Sequence, residues 1–154
     1  MPFYSLYYYR KATALRPHDS RMWTALANCY ETLGKNAEAI QCYLRADTNQ
    51  DREGIALLKL AKLYEKDKKD ETALTYYKRN LLRRDTYRLG GDETVETLKA
   101  LALLCKRLGR LDEAEKLALR LFDHSHGKDD AKMLLKEIHS LAMLQPNPPS
   151  AEKK

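Results

Sequence analysis

The sequence predicts an all-α fold, a solenoid of antiparallel helix pairs closed by a C-terminal capping helix. Three observations carry that prediction. Six positions recur in one register: Trp23 maps to Leu57, Leu26 to Leu60, Ala27 to Ala61, Tyr30 to Tyr64, Ala39 to Ala73 and Tyr43 to Tyr77, each 34 residues on. Within a copy, Trp23, Leu26, Ala27 and Tyr30 keep the i, i+3, i+4, i+7 offsets of one helical face. The dipeptides Leu33-Gly34 and Leu108-Gly109 recur as helix-ending turns. Small residues such as Ala27 and Ala39 let two helices approach closely, while the large ones fill the space around them. A single pair cannot bury its apolar face alone, so pairs stack into a continuous core.

The chain opens in the middle of a repeat. Within residues 1–19, Tyr4 to Leu15 reads as a second helix: Tyr9 aligns with Tyr43, Ala12 with Ala46, and Pro17 closes the helix. Residues 20–53 form a complete repeat, with Asn36 placed to cap its second helix. Residues 54–88 form another, whose turn at Lys66 to Asp70 lacks glycine and which carries Asn80 where the first has Ala46. The next copy is displaced, since Leu60 maps to Leu101, Ala61 to Ala102 and Ala73 to Ala114, each by 41 instead of 34. That places a seven-residue insertion between Asp85 and Thr94, where Gly90-Gly91 can stop a lengthened second helix and Asp92 can cap the next, leaving 89–94 as a linker. Residues 95–128 form the last repeat, with Asp112 and Glu115 at capping-box spacing. Residues 129–144 carry Ala131, Leu134, Leu135, Ile138, Leu141 and Ala142 on one face, the pattern of a capping helix. The stretch 145–154, with Pro146, Pro148, Pro149 and terminal lysines, has too little apolar content to pack and is expected to be disordered.

Composition bounds the function classes. At 44% hydrophobic and 32% charged, the chain can build a core. It has no apolar run of membrane-spanning length and no basic-then-apolar start between Met1 and Arg10, so an intracellular protein without a membrane partner is expected. Cys29, Cys42 and Cys105 are an odd number without a Cys-x-x-Cys pair and fall on core or near-core helix positions, which reads as reduced packing residues. The net charge of +6 is compatible with nucleic acid, but Lys and Arg alternate with Glu and Asp along the helices and no aromatic-basic interleaving appears. No nucleic-acid partner is expected.

The 34-residue spacing is that of the tetratricopeptide (TPR) repeat, so the fold is expected to be a TPR-type right-handed α-solenoid whose inner surface is lined by the first helix of each pair. The opening Pro2-Phe3-Tyr4-Ser5-Leu6-Tyr7-Tyr8-Tyr9-Arg10, then Leu15-Arg16-Pro17 and Asp19-Ser20-Arg21-Met22, goes further. Together with Ala56-Leu57-Leu58-Lys59-Leu60-Ala61-Lys62-Leu63 and, more loosely, Leu111-Asp112-Glu113-Ala114, it resembles the cell division cycle 23 family of the anaphase-promoting complex, or cyclosome. The resemblance implies a non-catalytic scaffold subunit of a mitotic ubiquitin ligase, located in nucleus and cytoplasm, whose partners are other subunits of that complex and a co-activator protein. It also implies that the chain is the C-terminal TPR region of a longer protein, with homodimerisation confined to N-terminal repeats that this sequence lacks.

Repeat geometry alone places Thr24, Asn28 and Glu31, then Lys59, Lys62 and Lys66, then Lys99, Lys106 and Arg107, on the first-helix face. These form a mostly basic groove that suits an acidic segment or a peptide carboxylate, with Asn28 as a donor to the peptide backbone. A plain solvated face is the simpler reading of the same lysines. Phe3, Leu6 and Tyr7 are expected to pack against the first helix missing from the opening half-repeat. His124 and His126, in Asp123-His124-Ser125-His126-Gly127, lack third and fourth ligands at a usual spacing, so no metal is expected. His18 and His139 have no nucleophile beside them in sequence, and packed thiols make poor nucleophiles. With no phosphate loop, nucleophile elbow or His-Glu-x-x-His pattern, neither catalysis nor a cofactor is expected. The alternative to the scaffold is a stand-alone TPR adaptor for acidic peptide tails, such as a chaperone co-factor. Such adaptors hold carboxylates with polar residues on successive first helices, and here Leu103 stands where one would be useful.

Overall fold

In the computed structural model, residues 2–145 are described, and they form eight α-helices with no strand among them. These are α1 (Pro2–Leu15), α2 (Ser20–Thr32), α3 (Asn36–Thr48), α4 (Ile55–Lys66), α5 (Asp70–Thr86), α6 (Asp92–Arg107), α7 (Leu111–Phe122) and α8 (Lys128–Leu144). The proline-rich stretch 146–154, expected to be disordered, lies outside the described residues. Two compact units are present, residues 1–97 and residues 98–154.

In the first unit α1 packs on α2, α2 on α3, α3 on α4 and α4 on α5. The aligned small residues are fully buried: Ala27, Ala39, Ala46, Ala61 and Ala73 are all 0% exposed. Leu26, Cys42, Tyr43, Leu60 and Leu63 join these alanines in the interior, with Leu6, Tyr9, Trp23, Tyr30 and Tyr64 half-buried around them. In the second unit α7 packs on α8, and Leu101, Leu104, Ala114, Ala118, Leu121, Leu134 and Ile138 are buried.

Helix starts differ from the sequence reading. Asn36 is the first residue of α3, and its N-cap is Lys35, which makes no side-chain cap. Likewise Arg110 is the N-cap of α7, leaving Asp112 inside the first turn, where its charge meets the positive helix end without closing a capping box. Asp19 does cap α2, accepting the Arg21 backbone N–H at 3.0 Å. Asp51 caps α4 from a distance, its Oδ2 accepting the Ala56 N–H at 2.7 Å.

The inserted residues lengthen α5 to 17 residues, against 13 in α3. The helix stops at Thr86, with Arg88 in the left-handed region at φ 54, so Gly90-Gly91 is not its stop. Gly91, at φ 89, instead precedes α6, whose first residue is Asp92. The segment is held from inside by Arg84, whose side chain is 5% exposed. Arg84 Nε donates to Thr94 Oγ1 at 2.9 Å, Nη1 to the Glu53 carbonyl at 3.1 Å and to Glu93 Oε2 at 3.0 Å, and Nη2 to the Gly90 carbonyl at 3.2 Å. A buried guanidinium is tolerable because its donors are engaged.

Asn80 makes a similar bridge. It is 1% exposed, donates Nδ2 to the Gly54 carbonyl at 2.6 Å and accepts the Thr97 hydroxyl at 2.9 Å. The amide fits because Gly54 has no Cβ: one built there would stand 2.8 Å from Asn80 Nδ2. The departure from the small residue at this position is thus compensated by the glycine at the N-cap of α4.

Candidate protein-interaction surface

The first helices of the pairs are α2, α4 and α6, and the single α8 follows them. In the first unit, Asn28 and Glu31 on α2 both face the hydroxyl of Tyr43 on α3, at 2.7 Å from Asn28 Oδ1 and 2.9 Å from Glu31 Oε2. Burial, followed by the hydrogen bond and charge of Glu31, pushes the Tyr43 phenol far above its ordinary pKa, so it stays a donor. One repeat on, the Tyr77 hydroxyl donates to Glu65 Oε2 at 2.7 Å. Register places Lys106 and Ala118 at the corresponding positions of the next copy, so the tyrosine–carboxylate link is confined to two repeats. Glu31 is therefore committed to its own repeat. Asn28 is oriented through its oxygen, which leaves Nδ2 as the donor. Thr24 donates its hydroxyl to the Ser20 carbonyl of its own helix at 3.0 Å.

The lysines of this face are largely matched by carboxylates. Lys62 pairs with Glu96 at 2.5 Å within the first unit. Within the second, Lys99 pairs with Asp130 at 3.2 Å and Lys106 pairs with Glu137. Each link joins one first helix to the next helix in the α4, α6, α8 series. Lys59 and Lys66 have no carboxylate partner among the described residues; Lys66 and Arg107 are exposed. The face is thus less basic than its lysine count suggests. Sequence reasoning missed these pairs: the Lys62–Glu96 spacing of 34 residues departs from the 41-residue offset of this copy, so repeat register does not signal the contact.

Of the residues assigned to the opening apolar surface, Phe3 and Tyr7 are 73% and 59% exposed. Leu6 is half-buried against the core of the first unit. Leu6, Tyr9 and Thr13 fall on one stripe of α1, and that stripe turns toward α2.

His124 and His126 lie in the turn between α7 and α8, and no three His, Cys, Asp or Glu side chains are grouped to hold a metal ion among the described residues. Cys42 and Cys105 are buried free thiols, and burial pushes both the Cys29 and Cys42 thiols up, the latter to about 11. No described helix is long and apolar enough to cross a membrane.

Comparison with known proteins agrees with this arrangement. Tetratricopeptide-repeat family models match residues 20–50 and 52–125. Anaphase-promoting complex subunit 8 of Dictyostelium discoideum is 46% identical over 108 residues, 70% of this chain and 18% of that protein. The Arabidopsis thaliana subunit 8 is 43% identical over 102 residues, 66% of this chain and again 18% of the relative. The chain therefore spans less than a fifth of the length of these relatives. Among solved structures, Pseudomonas aeruginosa pilF superposes with a TM-score of 0.67 at 17% identity, covering 88% of this chain and 59% of the other. MamA does so with a TM-score of 0.62 at 16% identity, covering 96% and 70%. At such identities these two speak for the fold alone. The repeat register, the helix pairing and the subunit 8 matches lead to one conclusion: the chain belongs to the tetratricopeptide-repeat proteins and, within them, to the cell division cycle 23 family.

Proposed function

We propose that the chain is part of a non-catalytic TPR scaffold subunit of an anaphase-promoting complex, holding other subunits in place and helping to dock the co-activator, in nucleus and cytoplasm. The observation that carries this reading is the 46% identity to a subunit named for that complex, over 70% of the chain. The first-helix face supports it over the adaptor alternative. A carboxylate clamp needs cations free to meet an incoming carboxylate, whereas Lys62, Lys99 and Lys106 already face Glu96, Asp130 and Glu137. A partner on this face would instead meet paired charges, the Asn28 amide, and Lys59 and Lys66, a surface suited to a backbone-contacting segment of mixed polarity.

The test is affinity purification of the tagged full-length protein from mitotic extract, with mass spectrometry of what is bound. Recovery of the other subunits of the ubiquitin ligase is expected. Recovery of chaperones without them would overturn the scaffold reading in favour of the adaptor.

A further inference from the structure

The seven-residue insertion has built a surface of its own on the first unit. Insertions in repeat proteins project onto one side of the stack and often carry binding. Here the extra turn of α5 and its cap carry Arg83, Thr86 and Tyr87 on from Leu82, and Arg83 and Tyr87 line a cleft with Asp47 and Thr48 at the end of α3. Two clefts flank Tyr87 and Arg83: one of about 350 Å³ reaches Gln50, Asp51 and Arg52, and one of about 250 Å³ reaches Arg79, Leu82 and Thr86. The ground beneath is fixed, since Arg84 ties this segment to Glu53, Gly90, Glu93 and Thr94.

Within the two clefts the carboxylates and the cations differ in exposure. The carboxylates are sheltered and engaged: the Asp47 side chain is 8% exposed and takes Arg79 at 3.1 Å and Arg83 at 2.6 Å, while Asp51 caps α4. The cations are more exposed than these carboxylates, Arg83 least so at 24%. The Arg79 side chain is 47% exposed, and Arg52 is exposed with no carboxylate partner among the described residues. Between them Leu82 and Tyr87 stand 68% and 52% exposed, far more than Leu81 at 8% one residue away. Exposed guanidinium groups interleaved with large apolar side chains are the composition of a protein-binding patch, not of a solvated face.

We propose that the surface at the C-terminal ends of α3 and α5 docks an extended partner segment that sets an acidic side chain beside a large apolar one. The acid meets Arg52, with Arg83 behind it; the apolar side chain lies over Leu82 and Tyr87. A second copy of this chain is a poorer occupant, because its net charge of +6 opposes the basic patch. The docking is independent of what the first-helix face holds.

A phage-displayed library of random peptides, panned against the intact chain, tests this. Selected peptides are expected to carry Asp or Glu next to Phe, Leu, Tyr or Trp, and to lose about tenfold or more in affinity on Arg52→Glu and on Leu82→Ser. Lys66→Glu, on the first-helix face, should leave them unaffected. Both positions are exposed, so folding should survive, and Tyr87→Ala gives an independent readout if either variant misfolds. The proposal is overturned if no acidic-apolar pattern emerges, if the peptides bind the Arg52 and Leu82 variants as well as the unaltered chain, or if Lys66→Glu abolishes binding instead.

Discussion

Replacing Gly54 by alanine is expected to cost the first unit about 2–5 kcal/mol, from two separable effects. Gly54 sits at φ 70, a conformation that costs a residue with a side chain about 1–2 kcal/mol. The added Cβ would also stand 2.8 Å from Asn80 Nδ2, so the amide must move. Asn80 is 1% exposed and donates to the Gly54 carbonyl at 2.6 Å, so moving it strands buried polar groups at about 1–3 kcal/mol. The second effect vanishes when Asn80 is already alanine, the residue found at the equivalent Ala46 of the preceding repeat. A double-mutant cycle separates the two: urea denaturation, followed by far-UV circular dichroism, of the parent, Gly54→Ala, Asn80→Ala and the double variant. Gly54→Ala should cost only about 1–2 kcal/mol in the Asn80→Ala background, a coupling of about 1–3 kcal/mol. Equal cost in both backgrounds would refute the packing argument and leave backbone conformation as the whole effect.

Lys68 stands at φ 63 where the neighbouring repeats have Gly34 at φ 76 and Gly109 at φ 78, so Lys68→Gly should stabilise by about 0.5–1 kcal/mol. A thermal midpoint that stays put or falls would contradict this. Arg84→Ala should cost about 3–5 kcal/mol by stranding buried acceptors, against under about 1 kcal/mol for Lys62→Ala in its exposed pair. Comparable losses in chemical denaturation would show that burial does not set the scale here. Burial, the dominant influence, holds the Cys42 thiol up to about 11, with Arg45 lowering and Glu38 raising it. The unfolded thiol ionises near pH ~8.5, so above that the unfolded chain loses a proton that the folded chain keeps. This contribution is full below pH ~8.5 and is lost as pH rises through the folded value. The stability difference between the parent and Cys42→Ala should therefore be flat below pH ~8.5 and shrink above it; parallel curves across that range would rule this out.

What the sequence determined by itself was the repeat. Alanines 34 residues apart specify where two helices touch, and Ala27, Ala39, Ala61 and Ala73 are indeed all at 0% exposure. Such contacts depend on spacing along one helix, and spacing is written in the chain. Helix starts were less legible, because Asn36, Asp112 and Lys35 differ as N-caps only in which residue leaves helical geometry first. The fate of charged and polar groups was decided by tertiary structure alone. Lys62 reads identically whether it faces solvent or Glu96, and Asn80 reads as a flaw until Gly54 is seen across from it. Arg84 looks like one more surface arginine in Arg83-Arg84, yet it is 4% exposed and holds the inserted segment. A hydrogen bond depends on an angle and a distance between groups far apart in the chain, and helical periodicity fixes neither.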